Sequence, residues 1–251
     1  PDMGSVNTIT LRETGAVSAT GERSSLSSQY ATTSMGTAFV VDGAPINTDA
    51  NIQGIPASTT SDPESRRDIT NRGVDMRTIS TDNIESVEIV RGIPSAEYGN
   101  LTSGVVNIKR IARATPFTAR LKVDEYSKLF SFGKGLALGK HVLNIDAGWL
   151  DSKTDPRDNL ENYKRANASL RSRLHWDAPS VTTLWNIGAD YTGSFDNAKV
   201  DPDINYNRVD EYRTRYNRIA LTSNLNFNFK KTLWLSAVHI STAFSYQHDR
   251  L

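Results

Sequence analysis

The sequence predicts an α+β module followed by the antiparallel strands of an incomplete transmembrane β-barrel, and three observations carry that expectation. Beyond Ala114 polar and apolar residues alternate with period two. The connections between the alternating runs switch between tight and long. Before Arg113 there is no such regularity, only short strand-like runs broken by Gly and Pro. The chain therefore divides into residues 1–113 and residues 114–251.

Composition sets few limits. The 251 residues carry 29 Lys+Arg against 28 Asp+Glu, a net charge of +1, so no global basic field points to nucleic acid. With no cysteine, a disulfide framework, thiolate zinc and cysteine nucleophiles are excluded. No apolar run of about 18 residues exists and the first residues lack a signal peptide's basic and apolar regions, but alternating strands of roughly 10 residues can also cross a bilayer.

In the first part, Ala38 to Val41 reads as a buried strand stopped by Asp42-Gly43, a dipeptide that tolerates the left-handed backbone of a sharp turn. Residues 50–72 are too polar and too interrupted for a core element. Asp82 is placed to cap a short helical turn, "SVEIV" to form a strand, "PSAEYG" a second helical turn between Pro94 and Gly99, and "GVVNIKR" the last strand.

In the second part, "HVLNIDAGWL" sets His141, Leu143, Ile145, Ala147 and Trp149 on one face; "ANASLRSRLHW" sets Ala166, Ala168, Leu170, Leu174 and Trp176 against Asn167, Ser169, Arg171, Arg173 and His175. The same test groups Val181, Trp185, Ile187, Ala189 and Tyr191, then Ile219, Leu221, Leu225, Phe227 and Phe229, then Trp234, Val238, Ile240, Phe244 and Tyr246. With weaker segments at 117–125 and 129–138, about seven antiparallel strands are expected. Tight turns fall at Gly139-Lys140, 177–180 and 230–232; long polar loops fall at 151–165 and 195–212. Outer-membrane barrels segregate short turns and long loops in this way. Trp176, Trp185 and Trp234 lie toward the short-turn ends and Trp149 at a long-loop end, as interfacial girdles would. Arg213 and Arg215 fall on the oily parity, so either a β-bulge shifts the register near Asn217 or this part of the strand stands above the bilayer.

Residues 84–108, "IESVEIVRGIPSAEYGNLTSGVVNI", resemble the plug signature of TonB-dependent outer-membrane receptors. Ile84, Glu85, Val87, Glu88, Arg91 and Gly92 match its first strand; Ser95, Ala96, Tyr98 and Gly99 its turn; Gly104, Val105, Asn107 and Ile108 its second strand. Asp42, Gly43 and Pro45 resemble the family's Val-x-x-Asp-Gly-x-Pro segment. The likeness spans roughly residues 36–110, and "VRGIPSAEYGNLTSG" looks more like Bacteroidetes-type receptors, although Ile93 stands where a proline is usual.

The resemblance implies a plug inside a 22-stranded barrel. About seven strands cannot close one, so a piece of a longer receptor, truncated at both ends, is expected. It also implies import of a nutrient powered through TonB, which binds a segment outside this sequence, with no cofactor and no catalytic residues. Outer-membrane lipid is an implied neighbour, the cargo is open, and the Bacteroidetes likeness leaves room for a surface lipoprotein partner. Glu85, Glu88 and Arg91 would pair with charges on the barrel wall, and Gly92, Gly99 and Gly104 would let the backbone turn in a crowded channel.

Other motifs weigh less. Ser131 to Lys134 matches the Ser-x-x-Lys of penicillin-binding enzymes but sits in a strand without a Lys-Thr-Gly. "GKGLALGKH" has the wrong spacing for a phosphate loop. Asp151, Asp155 and Asp158, and Asp196, Asp201 and Asp203, follow no EF-hand pattern, and His141, His175, His239 and His248 have no ligand spacing. The competing reading is a soluble or surface-exposed β-rich binding protein whose alternating strands form a sandwich. The two differ in what the oily faces touch.

Overall fold

The computed structural model describes residues 37–46, 74, 76–91, 104–153, 161–199, 212–231 and 234–250. Two sheets form. The smaller, ordered β2-β1-β4-β3, contains β1 (Thr37–Val41), β2 (Ala44–Ile46), β3 (Ile84–Arg91) and β4 (Gly104–Arg110). Strands β1 and β4 run parallel, and the other neighbours are antiparallel. Asp42 and Gly43 have φ of 50° and 90°, the paired left-handed residues that let a two-residue loop join β1 to β2 without splaying them. One face of this sheet buries Phe39, Val41, Ile46, Val106 and Ile108 with Val74; Met76, Ile79 and Ile84 pack on it. Each such side chain contributes about 1.5–3 kcal/mol.

The larger sheet is a seven-stranded meander of β5 (Thr115–Val123), β6 (Ser127–Leu138), β7 (His141–Ser152), β8 (Glu161–Asp177), β9 (Val181–Ala198), β10 (Tyr212–Phe229) and β11 (Ala237–Arg250). Seven strands match the expectation from periodicity, and the expected tight turns at 139–140 and 177–180 lie where β6 meets β7 and β8 meets β9; β11 opens only at Ala237, so the connection from β10 is longer than the expected 230–232. The sheet is open; among the described residues β5 and β11 each have one neighbour.

The two faces of the large sheet separate as the alternation requires. Facing the small sheet are Asn144, Arg165, Asn167, Ser169, Arg171, Asp190, Thr192 and Arg218, all buried. Pointing away are apolar side chains that nothing covers: Phe132 is 40% exposed, Leu170 44%, Leu221 49% and Phe244 59%. A β-sandwich would bury this face and wet the other. Here the wet face is the covered one.

Three further expectations change. The strands β8, β9 and β10 run 17, 18 and 18 residues, taking in much of what polarity assigned to loops. Pairing along β10 is continuous through Asn217 to Arg215 on the β11 side and on to Tyr212 on the β9 side, so no bulge rescues Arg213 and Arg215. A strand of that length exceeds the roughly 10 residues a bilayer needs, and both arginines lie on the excess. Asp82 caps no helix. The helical turn is Met76–Thr78, before it, and the strand opens two residues later at Ile84; the Asp82 carboxylate accepts instead from Arg120 at 2.8 Å. The "PSAEYG" turn and residues 50–72 lie outside the described residues.

Close approach explains one glycine. A Cβ at Gly135 would come within 2.4 Å of the Arg113 carbonyl oxygen and 2.6 Å of the Thr115 nitrogen, where the chain passes from the small sheet to the large one.

Candidate functional site

The side chains that join the two sheets form a line of charge across the covered face. At its centre is Asp42, presented by the tight turn at the tip of the β1–β2 hairpin. Its Oδ1 accepts the Arg110 backbone N–H at 2.9 Å, which fastens the turn to the end of β4. Its Oδ2 accepts from Nε and Nη2 of Arg171, on wall strand β8, at 2.9 and 2.7 Å. The same Nη2 donates to both carboxylate oxygens of Asp190 on β9, at 2.7 Å each. The remaining Nη1 donates to the carbonyls of Leu170 and Ala189, so every part of this guanidinium is engaged.

From Asp190 the line continues. Arg110 stands 3.9 Å from its carboxylate and donates to Asn83 Oδ1 at 3.1 Å. Asn83 in turn donates to Asp146 Oδ2 of β7 at 2.5 Å, and the Ser169 hydroxyl bonds the same oxygen. Asp42 and Asp190 thus face Arg171 and Arg110 in alternation, as buried charges must.

A second clamp lies along the same face. Arg77 donates to Asp196 on β9 at 2.7 Å and stacks 4.1 Å above the Tyr163 ring, while Arg165 donates to the carbonyls of Arg77 and Ile79. Arg218 of β10 reaches the hairpin from the other side, donating to the Pro45 carbonyl at 3.2 Å. Between the small sheet and the β8–β11 wall a polar cleft of about 750 Å³ remains, lined by Val40, Asp42, Lys109, Arg173, Asn186 and His239 among others.

The signature residues are dispersed. Asp42, Gly43, Pro45, Glu85 and Asn107 border that cleft. Gly104 opens β4, and Gly92, Tyr98 and Gly99 lie outside the described residues. Among the described residues, the seven wall strands of this chain give Glu85, Glu88 and Arg91 no ion-pair partner. They sit exposed on β3, the strand of the small sheet that borders only β4, and Glu85 lies 3.7 Å from exposed Arg113 rather than from a wall strand. Side-chain contacts with these strands come from Asp42, Arg77, Asp82, Asn83 and Arg110. The signal that could have found their partners was the wet parity of β8, which already set Arg171 apart from Leu170.

The two catalytic motifs weighed from the sequence do not assemble among the described residues. Ser131 is buried toward the covered face and Lys134 is exposed on the opposite one, since residues three apart on a strand point to opposite sides. Among the described residues no three His, Asp or Glu side chains converge on a metal position.

Residues 3–106 match the family model of the TonB-dependent receptor plug domain. The fold is similar to that of the ferric enterobactin receptor of Pseudomonas aeruginosa, at a TM-score of 0.54 and 14% identity, over 88% of this chain and 34% of that one. A siderophore receptor of Acinetobacter baumannii aligns at a TM-score of 0.46 and 14% identity, over 87% of this chain and 41% of that one. The chain thus spans about a third to two-fifths of the length of these receptors. No curated protein matches it.

Proposed function

We propose, from the premise that this chain carries a TonB-dependent receptor plug domain joined to strands of the receptor barrel, that it serves TonB-dependent import of a nutrient across the outer membrane. Residues 1–113 act as the plug and 114–251 as wall. The observation that carries the reading is the inversion of the large sheet: its polar face holds the small sheet and its apolar face is bare. A wall with those two sides belongs between lipid and a hydrated, plugged lumen.

The plug is held by bonds that can be exchanged for water. Arg171, Arg77 and Arg218 fix it through charge and carbonyl contacts, while its own apolar core stays within the small sheet. Such an interface can open without unfolding the plug, because the core is not part of what separates. Energy transmitted from the periplasm through TonB would have to break the Asp42–Arg171–Asp190 contact to free the hairpin and widen the polar cleft beside it.

The test is to express the receptor as its gene encodes it. The reading requires heat-modifiable migration in the outer-membrane fraction and nutrient-limited growth that is lost without TonB. A soluble, detergent-independent monomer would overturn it.

A further inference from the structure

The cleft beside the hairpin has two unlike sides. One is the face of the small sheet turned away from its apolar core, where Ala38 and Val40 of β1 and Asn107 and Lys109 of β4 alternate with the buried core residues. On the other, strand register lays a polar row across the wall: Arg173 of β8 stands beside Asn186 of β9, Asn186 beside Asn224 of β10, and Asn224 beside Ser241 of β11. This row lies between the Asp42–Arg171 contact and the tight turn after Asp177, on the short-turn side of the wall. A solute let past the hairpin crosses it last before the periplasm.

The charge of the cleft is unbalanced. Besides His239, its lining holds four cations, Lys109, Arg110, Arg171 and Arg173, against two acids, Asp42 and Glu85. Both acids are answered, Asp42 by Arg171 at 2.7 Å and Glu85 by Arg113, outside the lining, at 3.7 Å. Arg171 also holds Asp190 at 2.7 Å, which leaves Arg110 3.9 Å from the same carboxylate. The Arg110 side chain is 7% exposed, yet its Nε has no hydrogen-bond partner among the described residues. Lys109 and Arg173 have no ion-pair partner among those residues either. Like charges facing one cavity repel, so this surplus does not stabilise the fold. In a hydrated cleft with low-dielectric walls it attracts the opposite charge instead. A volume of about 750 Å³ suits a small organic molecule rather than a single ion.

We propose that this cleft is an anion filter: the solutes it lets past the released hairpin carry carboxylate or phosphate groups, and Lys109, Arg110 and Arg173 select them. Arginine meets such oxyanions in bidentate geometry, and the row of Asn186, Asn224 and Ser241 supplies neutral hydrogen-bonding groups for the rest of the molecule. The inference rests on the import reading above and names the class of cargo that reading leaves open.

The experiment is planar-bilayer conductance of the full-length receptor carrying Asp42→Asn/Arg171→Gln, which releases the hairpin and takes one acid and one cation from the lining, so that its charge balance is kept. In a roughly tenfold KCl gradient the reversal potential is expected to show chloride passing at least about threefold more readily than potassium. Inorganic phosphate or citrate at constant ionic strength should lower the chloride current at least about twofold. Adding Lys109→Gln/Arg173→Gln should abolish the preference, whereas Lys109→Arg/Arg173→Lys should keep it. No current after release, a preference for potassium or for neither ion, a chloride preference that survives loss of both cations, or a current indifferent to both oxyanions each overturns the proposal. Heat-modifiable migration of the same samples separates the failures. Its absence in wild type refutes the barrel itself, whereas intact migration without anion preference refutes only the filter.

Discussion

Replacing Arg171 by Gln should release the β1–β2 hairpin from the wall. The substitution leaves the carboxylates of Asp42 and Asp190 buried and facing one another. A charge pair at about 4 Å in a partly polar interior is worth about 4 kcal/mol, and removing one partner of a buried pair costs about 3–5 kcal/mol. Arg110 remains, bonding Asp42 through its backbone N–H at 2.9 Å and standing 3.9 Å from Asp190, which points to the lower end of that range. A cost of about 3 kcal/mol shifts local opening by roughly 100-fold. The assay is amide hydrogen exchange in the intact receptor, read at Asp42 and Arg110, whose N–H groups bond Ile108 O and Asp42 Oδ1. Both should exchange roughly 100-fold faster, with amides in β8 and β9 unchanged. Asp42→Asn separates the roles, because its amide oxygen can still accept from the Arg110 N–H but offers Arg171 no charge; combined with Arg171→Gln it should add little further opening. Exchange within threefold of wild type in Arg171→Gln would refute the clamp.

Three further outcomes are expected. Lys134 points outward between Phe132 and Leu136, near the middle of the apolar stretch of β6, so Lys134→Leu should raise barrel stability by about 2 kcal/mol, seen as a higher urea midpoint in detergent. Gly135→Ala should destabilise by at least about 2 kcal/mol because its Cβ meets backbone at 2.4 Å, whereas Gly139→Ala, in open space at φ +65°, should cost only about 1 kcal/mol; comparable midpoints would refute the packing account. Lys122 and the Ser127 hydroxyl hold the Asp124 carboxyl well below its ordinary range, so the β5–β6 turn is at full strength above the usual carboxylate pKa and weakens as pH falls through and below it; the protection of the Ser127 amide, bonded to Asp124 at 2.7 Å, relative to the free-chain exchange rate at each pH should stay flat from pH 7 to 5 and fall only under strong acid.

The wall was legible because period two is a local signal. His141 to Trp149 shows its two faces within nine residues, and Gly139-Lys140 announces its own turn. The extra length of β8 to β10 was not, because beyond the bilayer both faces of a strand are polar, and a polar strand such as Glu161 to Arg165 is indistinguishable from a loop by composition. The clamp was hidden for a different reason. Asp42 drew notice as a turn residue, but its charge is answered by Arg171, 129 positions away, and nothing in either neighbourhood names the other. Which neighbours Glu85, Glu88 and Arg91 have was not legible, because an acidic and basic run on a plug strand says nothing about which side of the sheet meets these seven strands. Strand order decides it: β2 lies against β10 and β11, while β3 borders only β4 within the small sheet.

The passage between the sheets sets a leash. Only residues 111–114 lie between Arg110 and Thr115, a reach of about 17 Å even when fully stretched, and both its ends are pinned, Ile111 to the Asn83 carbonyl and the Arg113 carbonyl to Asn144. The trailing strand of the small sheet therefore cannot be ejected into the periplasm like a cork. If the chain serves import as proposed, a route for cargo would be made by swinging the hairpin side away from the wall about this fixed corner, a door with its hinge at β5 and its latch at Arg171.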